Sequence, residues 1–133
     1  MPPIDLRKQS LGTLFVIPPS ALVNAKTLAP IYPGAKHLSA HQLISLHLYL
    51  HRPPDDTKES TDNLFGPFIS ILPREFDSHP LTWFIHKNLG DENELESMFL
   101  ALLPRSTRSV LNVISERYER DSNAVKKYLV SFI

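Results

Sequence analysis

A chain of 133 residues, 42% hydrophobic and 21% charged, has the length of one domain or part of one and can bury a modest core. Lys plus Arg equals Asp plus Glu at 14 each, so no net field draws in nucleic acid, an anionic membrane or an acidic substrate. The absence of cysteine excludes disulfides, thiolate nucleophiles and Cys-based metal sites and suits a reducing compartment, so an intracellular setting, cytoplasmic or nuclear, is expected.

The N-terminus, Met1-Pro2-Pro3-Ile4-Asp5, has no basic segment followed by an apolar core. Apolar runs such as Met98 to Leu103 fall far short of a membrane span. Twelve prolines are spread along the chain, which predicts short elements and no long helix before position 90.

Gly12 to Ile17 (Gly-Thr-Leu-Phe-Val-Ile), closed by Pro18-Pro19, has the profile of a short buried strand whose partner the rest of the chain does not offer. Ser20 is placed as the cap of a short turn through Val23. Ala25 to Lys36, with Pro30, Pro33 and Gly34, reads as a loop holding one helical turn. Ser39 and Gln42 then make a capping box, and Leu43, Leu46 and Leu50 with Ile44 and Leu48 form the apolar stripe of a helix stopped by Pro53-Pro54. The polar segment 53–62 is expected to be an exposed loop.

Asn63 to Leu72 reads as a short helix or turn around Gly66-Pro67, packed as an apolar plug through Leu64, Phe65, Phe68, Ile69, Ile71 and Leu72 and ended by Pro73. A helix is expected from about Glu92 to Leu103, apolar at Leu95, Met98, Phe99 and Leu102, with acidic residues complementing its dipole. After Pro104 another begins near Ser106 and carries Val110, Leu111, Ile114 and Tyr118 on one face, with Glu116 and Arg120 as an exposed pair worth about 0.3 kcal/mol. Asp121 or Ser122 is placed as the cap of a last helix bearing Val125, Tyr128, Leu129 and Phe132. The final Leu-Val-Ser-Phe-Ile does not taper into polar residues, the profile of a truncated chain or of a tightly docked helix.

Chemistry-bearing patterns are sparse. His37 with His41, and His47 with His51, are spaced to share a helix face, but the two pairs point apart and no Glu completes a metalloprotease signature, so histidines at helix ends and partly exposed sites are the preferred account. No glycine-flanked serine nucleophile occurs; Ser20, Ser39 and Ser106 read as caps. Glu92, Glu94, Glu96, Glu116 and Glu119 read as solvated helix faces. The four glycines lie too far apart to cradle phosphate, and Arg105, Arg108, Arg117, Arg120, Lys126 and Lys127 are interleaved with acids and lack an aromatic platform for nucleic acid. No catalytic, cofactor-binding or metal-binding residue is assigned.

One segment is more specific. Phe65, Pro67-Phe68-Ile69, Leu72-Pro73, Glu75-Phe76 and Pro80-Leu81 with Trp83 resemble a stretch of the SET-domain methyltransferases of the Rubisco-methyltransferase-like group, where it lies in the helical insertion that splits the SET domain. Gly12 to Leu22 is similar to that family's second SET strand, Ser39 to His51 to the helix before the Leu-Pro segment, and Leu102 to Leu129 to the paired insertion helices. The resemblance covers about residues 6–129.

It implies an α+β, predominantly α fold, with residues 1–24 as the N-terminal SET β remnant and 25–133 as the helical insertion. It also implies part of an S-adenosylmethionine-dependent protein-lysine N-methyltransferase, in which positioning of the lysine amine against the sulfonium methyl supplies much of the rate. The family's glycine-containing cofactor segment, its Asn-His motif and its channel tyrosine have no counterpart here, so no functional residue carries over. The chain alone is expected to bind no S-adenosylmethionine and to contribute the substrate-protein groove. Its partners would be a protein substrate or the remainder of the SET domain, with no nucleic acid, membrane or metal. A non-enzymatic helical interaction module, with Trp83, Phe84 and Tyr128 on its docking face, or a degenerate SET relic, is the alternative.

Overall fold

The computed structural model describes Gly12 and residues 15–132, and its order is set by helix signals in the sequence. Among the described residues six α-helices follow one another: α1 Ala25–Leu28, α2 Ala40–His51, α3 Gly66–Ser70, α4 Pro80–Leu89, α5 Glu94–Leu102 and α6 Arg105–Phe132. Single 3-10 turns cover Pro19–Ala21 and Ala35–His37. None of the helices is long and apolar enough to cross a membrane.

The expected N-terminal β element is not formed among the described residues. Phe15, Val16 and Ile17 carry no regular structure and are 75%, 81% and 53% exposed. A lone strand cannot satisfy its own N–H and C=O groups, and no described segment pairs with it. Residues 1–11, Thr13 and Leu14, the remainder of the segment read as β, lie outside the described residues.

Capping chemistry fixes most helix starts. Asn24, not Ser20, opens α1, accepting from the N–H of Lys26 and Thr27 while the Thr27 hydroxyl accepts from the Asn24 N–H. Ser39 and Gln42 form the expected capping box of α2. Asn93 and Glu96 form another at α5. Helix α4 was not read from the sequence, although Pro80 starts it and Gly90 ends it in a left-handed conformation, φ 77°, that any side chain would strain.

The two helices expected after Pro104 are one. Helix α6 runs 28 residues without a break, and Asp121 caps nothing: its carboxylate accepts from Gln42 Nε2 at 2.8 Å, tying α6 to the first turn of α2. Ser106 lies inside the helix, and Arg120 stands 3.5 Å from Asp121 instead of pairing with Glu116. Asp121 and Ser122 can cap a helix, but a continuous helix keeps every backbone bond and allows both ends of α6 to be packed.

Two groups of helices share α6. Its C-terminal half closes a core built by α1, α2 and α3, with Leu28, Leu43, Leu46, Phe65, Ile69 and Tyr128 buried. Its N-terminal half receives α4, on which α5 packs in turn, and Leu100 and Leu111 are the buried apolar residues there. Here the expected stripe points the wrong way: Leu95, Met98 and Leu102 are 54%, 51% and 74% exposed, while α5 packs through Glu96, Phe99 and Leu100. On α6, likewise, Val110 and Tyr118 are exposed and Leu111 is buried.

Candidate functional site

The segment from Phe65 to Trp83 forms a corner. Phe65 and Ile69 anchor it in the core, Pro67 sits in the first turn of α3, and Pro80 starts α4. Gly66 is required by close approach, since a Cβ there would stand 2.9 Å from the Ser60 carbonyl oxygen. Between α3 and α4 the chain turns outward, leaving Phe76 57% exposed, and the Trp83 indole N–H donates to the Asp77 carbonyl while its ring lies 5.1 Å from Phe99.

This corner, α4 and the middle of α6 enclose an open cleft of about 580 Å³, lined by Phe76, His79, Leu81, Ile85, His86 and Tyr118. Its walls are aromatic and aliphatic, with two imidazoles and the polar Glu75, Asp77 and Thr82 beside them. His86 Nδ1 lies 2.8 Å from Glu96 Oε1, which fixes the ring and joins α4 to α5. The cleft can accept an apolar or aromatic side chain from a partner; its side chains make no nucleophile–base arrangement.

A second cluster is buried at the C-terminal end of α2. His47, at 0% exposure, replaces an aliphatic residue in the core stripe and is neither at a helix end nor partly exposed, as the spacing had suggested. Its Nδ1 shares a 2.6 Å hydrogen bond with the Tyr32 hydroxyl, the direction set by the tautomer. Its Nε2 faces Asp62 Oδ1 at 3.3 Å without the alignment of a well-formed hydrogen bond.

Asp62 reaches this point because the loop folds back. Ser60 Oγ donates to the His51 carbonyl and the Ser60 N–H donates to Ser70 Oγ, pinning the loop between α2 and α3. The Phe65 N–H donates to Asp62 Oδ2 at 2.7 Å, leaving Oδ1 to face His47 and, at 3.8 Å, His51. The segment 53–62 is largely exposed apart from Pro53, but its last residue is an interior group, the Asp62 side chain being 8% exposed.

The electrostatics follow from burial. Burial pushes the His47 imidazole below its ordinary value, against the opposing pull of Asp62. Burial also raises the Asp62 carboxyl, but the Phe65 N–H and the two imidazoles outweigh it and hold the group below the usual carboxylate value. The Tyr32 phenol is pushed up to about 12, first by burial and then by the Asp62 and Tyr128 charges.

The other nominated residues disperse. His37 ends the 3-10 turn before α2, and His41 stands exposed on α2, away from His47. Glu96 is buried in its capping box, in contrast to the solvated face expected of it. Tyr128 is no docking residue: it lies in the core at 6% exposure and donates its hydroxyl to the Pro33 carbonyl. Trp83 and Phe84 are half-buried. Comparisons with protein-family models, with curated proteins and with solved structures find no match for this chain.

Proposed function

We propose that this chain is the helical, substrate-docking part of a SET-domain protein-lysine N-methyltransferase, with the S-adenosylmethionine site and lysine channel supplied from outside these residues. Support comes first from Phe15, Val16 and Ile17, an apolar, β-prone segment that lies exposed beside a helical body. A split SET domain would give that segment its sheet. The residues that carry the family resemblance line the docking cleft at Phe76 and Leu81, and an aromatic, open cleft suits a flexible protein segment better than a small cofactor.

The test is the intact mass of the native protein, detected with an antibody raised against residues 90–120, together with cofactor binding and methyl transfer by the isolated chain. Expected are a mass several-fold above 15.1 kDa and no cofactor binding or turnover by the isolated chain. Turnover by the isolated chain above a heat-killed control contradicts the proposal, and a native mass of 15.1 kDa favours a second reading, a non-enzymatic interaction module. That alternative draws on the outward-facing Leu95, Met98 and Leu102 of α5, which would then meet a partner protein.

A further inference from the structure

We propose that His47, His51 and Asp62 bind a first-row divalent cation, with Zn²⁺ the fitting ion, clipping the end of α2 to the loop that leads into α3. The three residues each offer one ligand atom, all within 4.8 Å of one another. Two imidazoles and one carboxylate are a zinc donor set that leaves a fourth position for water.

The distances from the two imidazoles to the shared carboxylate oxygen suit the ion. Ligand bonds of about 2.0–2.1 Å in a tetrahedron give ligand–ligand edges of about 3.3 Å. His47 Nε2 and Asp62 Oδ1 are 3.3 Å apart, and His51 Nδ1 is 3.8 Å from the same oxygen. The His51 ring, 30% exposed at the helix end, can close that difference by rotation and offers the ion a way in.

Both buried ligands are already aimed. Metal-bound histidines characteristically hold their second ring nitrogen in a hydrogen bond that fixes tautomer and orientation. Here the Tyr32 hydroxyl occupies His47 Nδ1, so Nδ1–H donation to Tyr32 leaves the Nε2 lone pair pointing at Asp62. The Phe65 N–H does the same for Asp62, holding Oδ2 and freeing Oδ1. His47 Nε2 is wholly buried and faces Asp62 Oδ1 at 3.3 Å without a well-formed hydrogen bond, an arrangement that a cation held between the two atoms completes.

The test uses the whole chain, stripped of metal with a chelator and titrated with Zn²⁺ by calorimetry and with Co²⁺ by visible absorption. One equivalent of Zn²⁺ is expected to bind and raise the thermal unfolding midpoint, and Co²⁺ to give a low-coordinate visible spectrum. His51→Ala, a partly exposed change that leaves the core intact, should abolish binding with an unchanged far-ultraviolet circular dichroism spectrum. Tyr32→Phe, which keeps the ring and removes the hydroxyl, should keep the stoichiometry and weaken affinity about 10–100-fold. His41→Ala, on the same helix, should change nothing. Absence of binding by the unaltered chain, or equal binding by His51→Ala, overturns the site and leaves Tyr32, His47 and Asp62 as a structural polar network.

Discussion

The two ends of α6 show how differently one chain can bury the same kind of surface. Around its C-terminal half, α1, α2 and α3 enclose Leu28, Leu46 and His47 completely, with Tyr32, Phe65 and Tyr128 packed about them. Around its N-terminal half, no residue of α4 is fully buried, and α5 turns Leu95, Met98 and Leu102 outward. Hydrophobic stabilisation follows the area removed from water, so the first half, with more fully buried side chains, supplies most of the fold's cohesion, although Tyr49, Leu64, Ile71 and Val130 leave apolar surface exposed there as well.

The largest effect that could break this contrast comes from the core. Leu46→Ala should cost about 2–5 kcal/mol, whereas Leu102→Ala, on the 74% exposed face of α5, should stay within about 0.5 kcal/mol. Urea unfolding measures both; equal losses would mean that α5 is packed as tightly as α2.

Smaller losses of about 1 kcal/mol should arise at the ends of α4 and α5. Asn93→Ala removes a cap that accepts from the Glu96 N–H. Gly90→Ala forces a side chain into the left-handed region at φ 77°, where a Cβ meets no other atom, so only backbone strain is felt. If the α4–α5 half opens independently, hydrogen exchange in α4 and α5 should respond to both changes while exchange in α2 does not.

The smallest effect at neutral pH, none, belongs to the Tyr32 proton. A phenol raised from 10.0 to about 12 in the folded protein contributes stability that is complete below pH 10.0 and is lost as pH rises toward 12. In a spectrophotometric titration of chelator-treated protein, one of the four tyrosines should ionise late, and Tyr32→Phe should remove that late step. An unchanged curve in Tyr32→Phe would place the delayed phenol elsewhere.

Local signals carried much of the fold. The Ser39–Gln42 box, the prolines and the stripe through Leu43 and Leu46 define α2, and acidic residues announce α5. What failed was tertiary. A stripe such as Leu95, Met98 and Leu102 states which residues share a face, not whether that face meets a core. Asp121 can cap a helix, and only its hydrogen bond from Gln42, 79 residues earlier, shows that it holds two helices together. The strand expected at Leu14 to Ile17 needs a neighbour that no single segment can reveal, and its described part is unstructured.

The buried cluster was half legible. The i,i+4 spacing of His47 and His51 puts both rings on one face of α2, with centroids 4.4 Å apart. Asp62 joins them only because Ser60 and Ser70 fold the loop back, and Tyr32 because α1 packs on α2, neither of which spacing along the chain encodes. His47 within an otherwise aliphatic stripe was the one available sign of an interior polar site.

The most direct measurement of the central contrast is residue-resolved native-state hydrogen exchange on the chelator-treated, isolated chain. The slowest amides should lie in α2 from Leu43 to His47 and in α6 from Val125 to Leu129, with α4 and α5 exchanging through a lower-energy opening. Equal protection across all four helices would contradict the division into a closed core and a more loosely packed half.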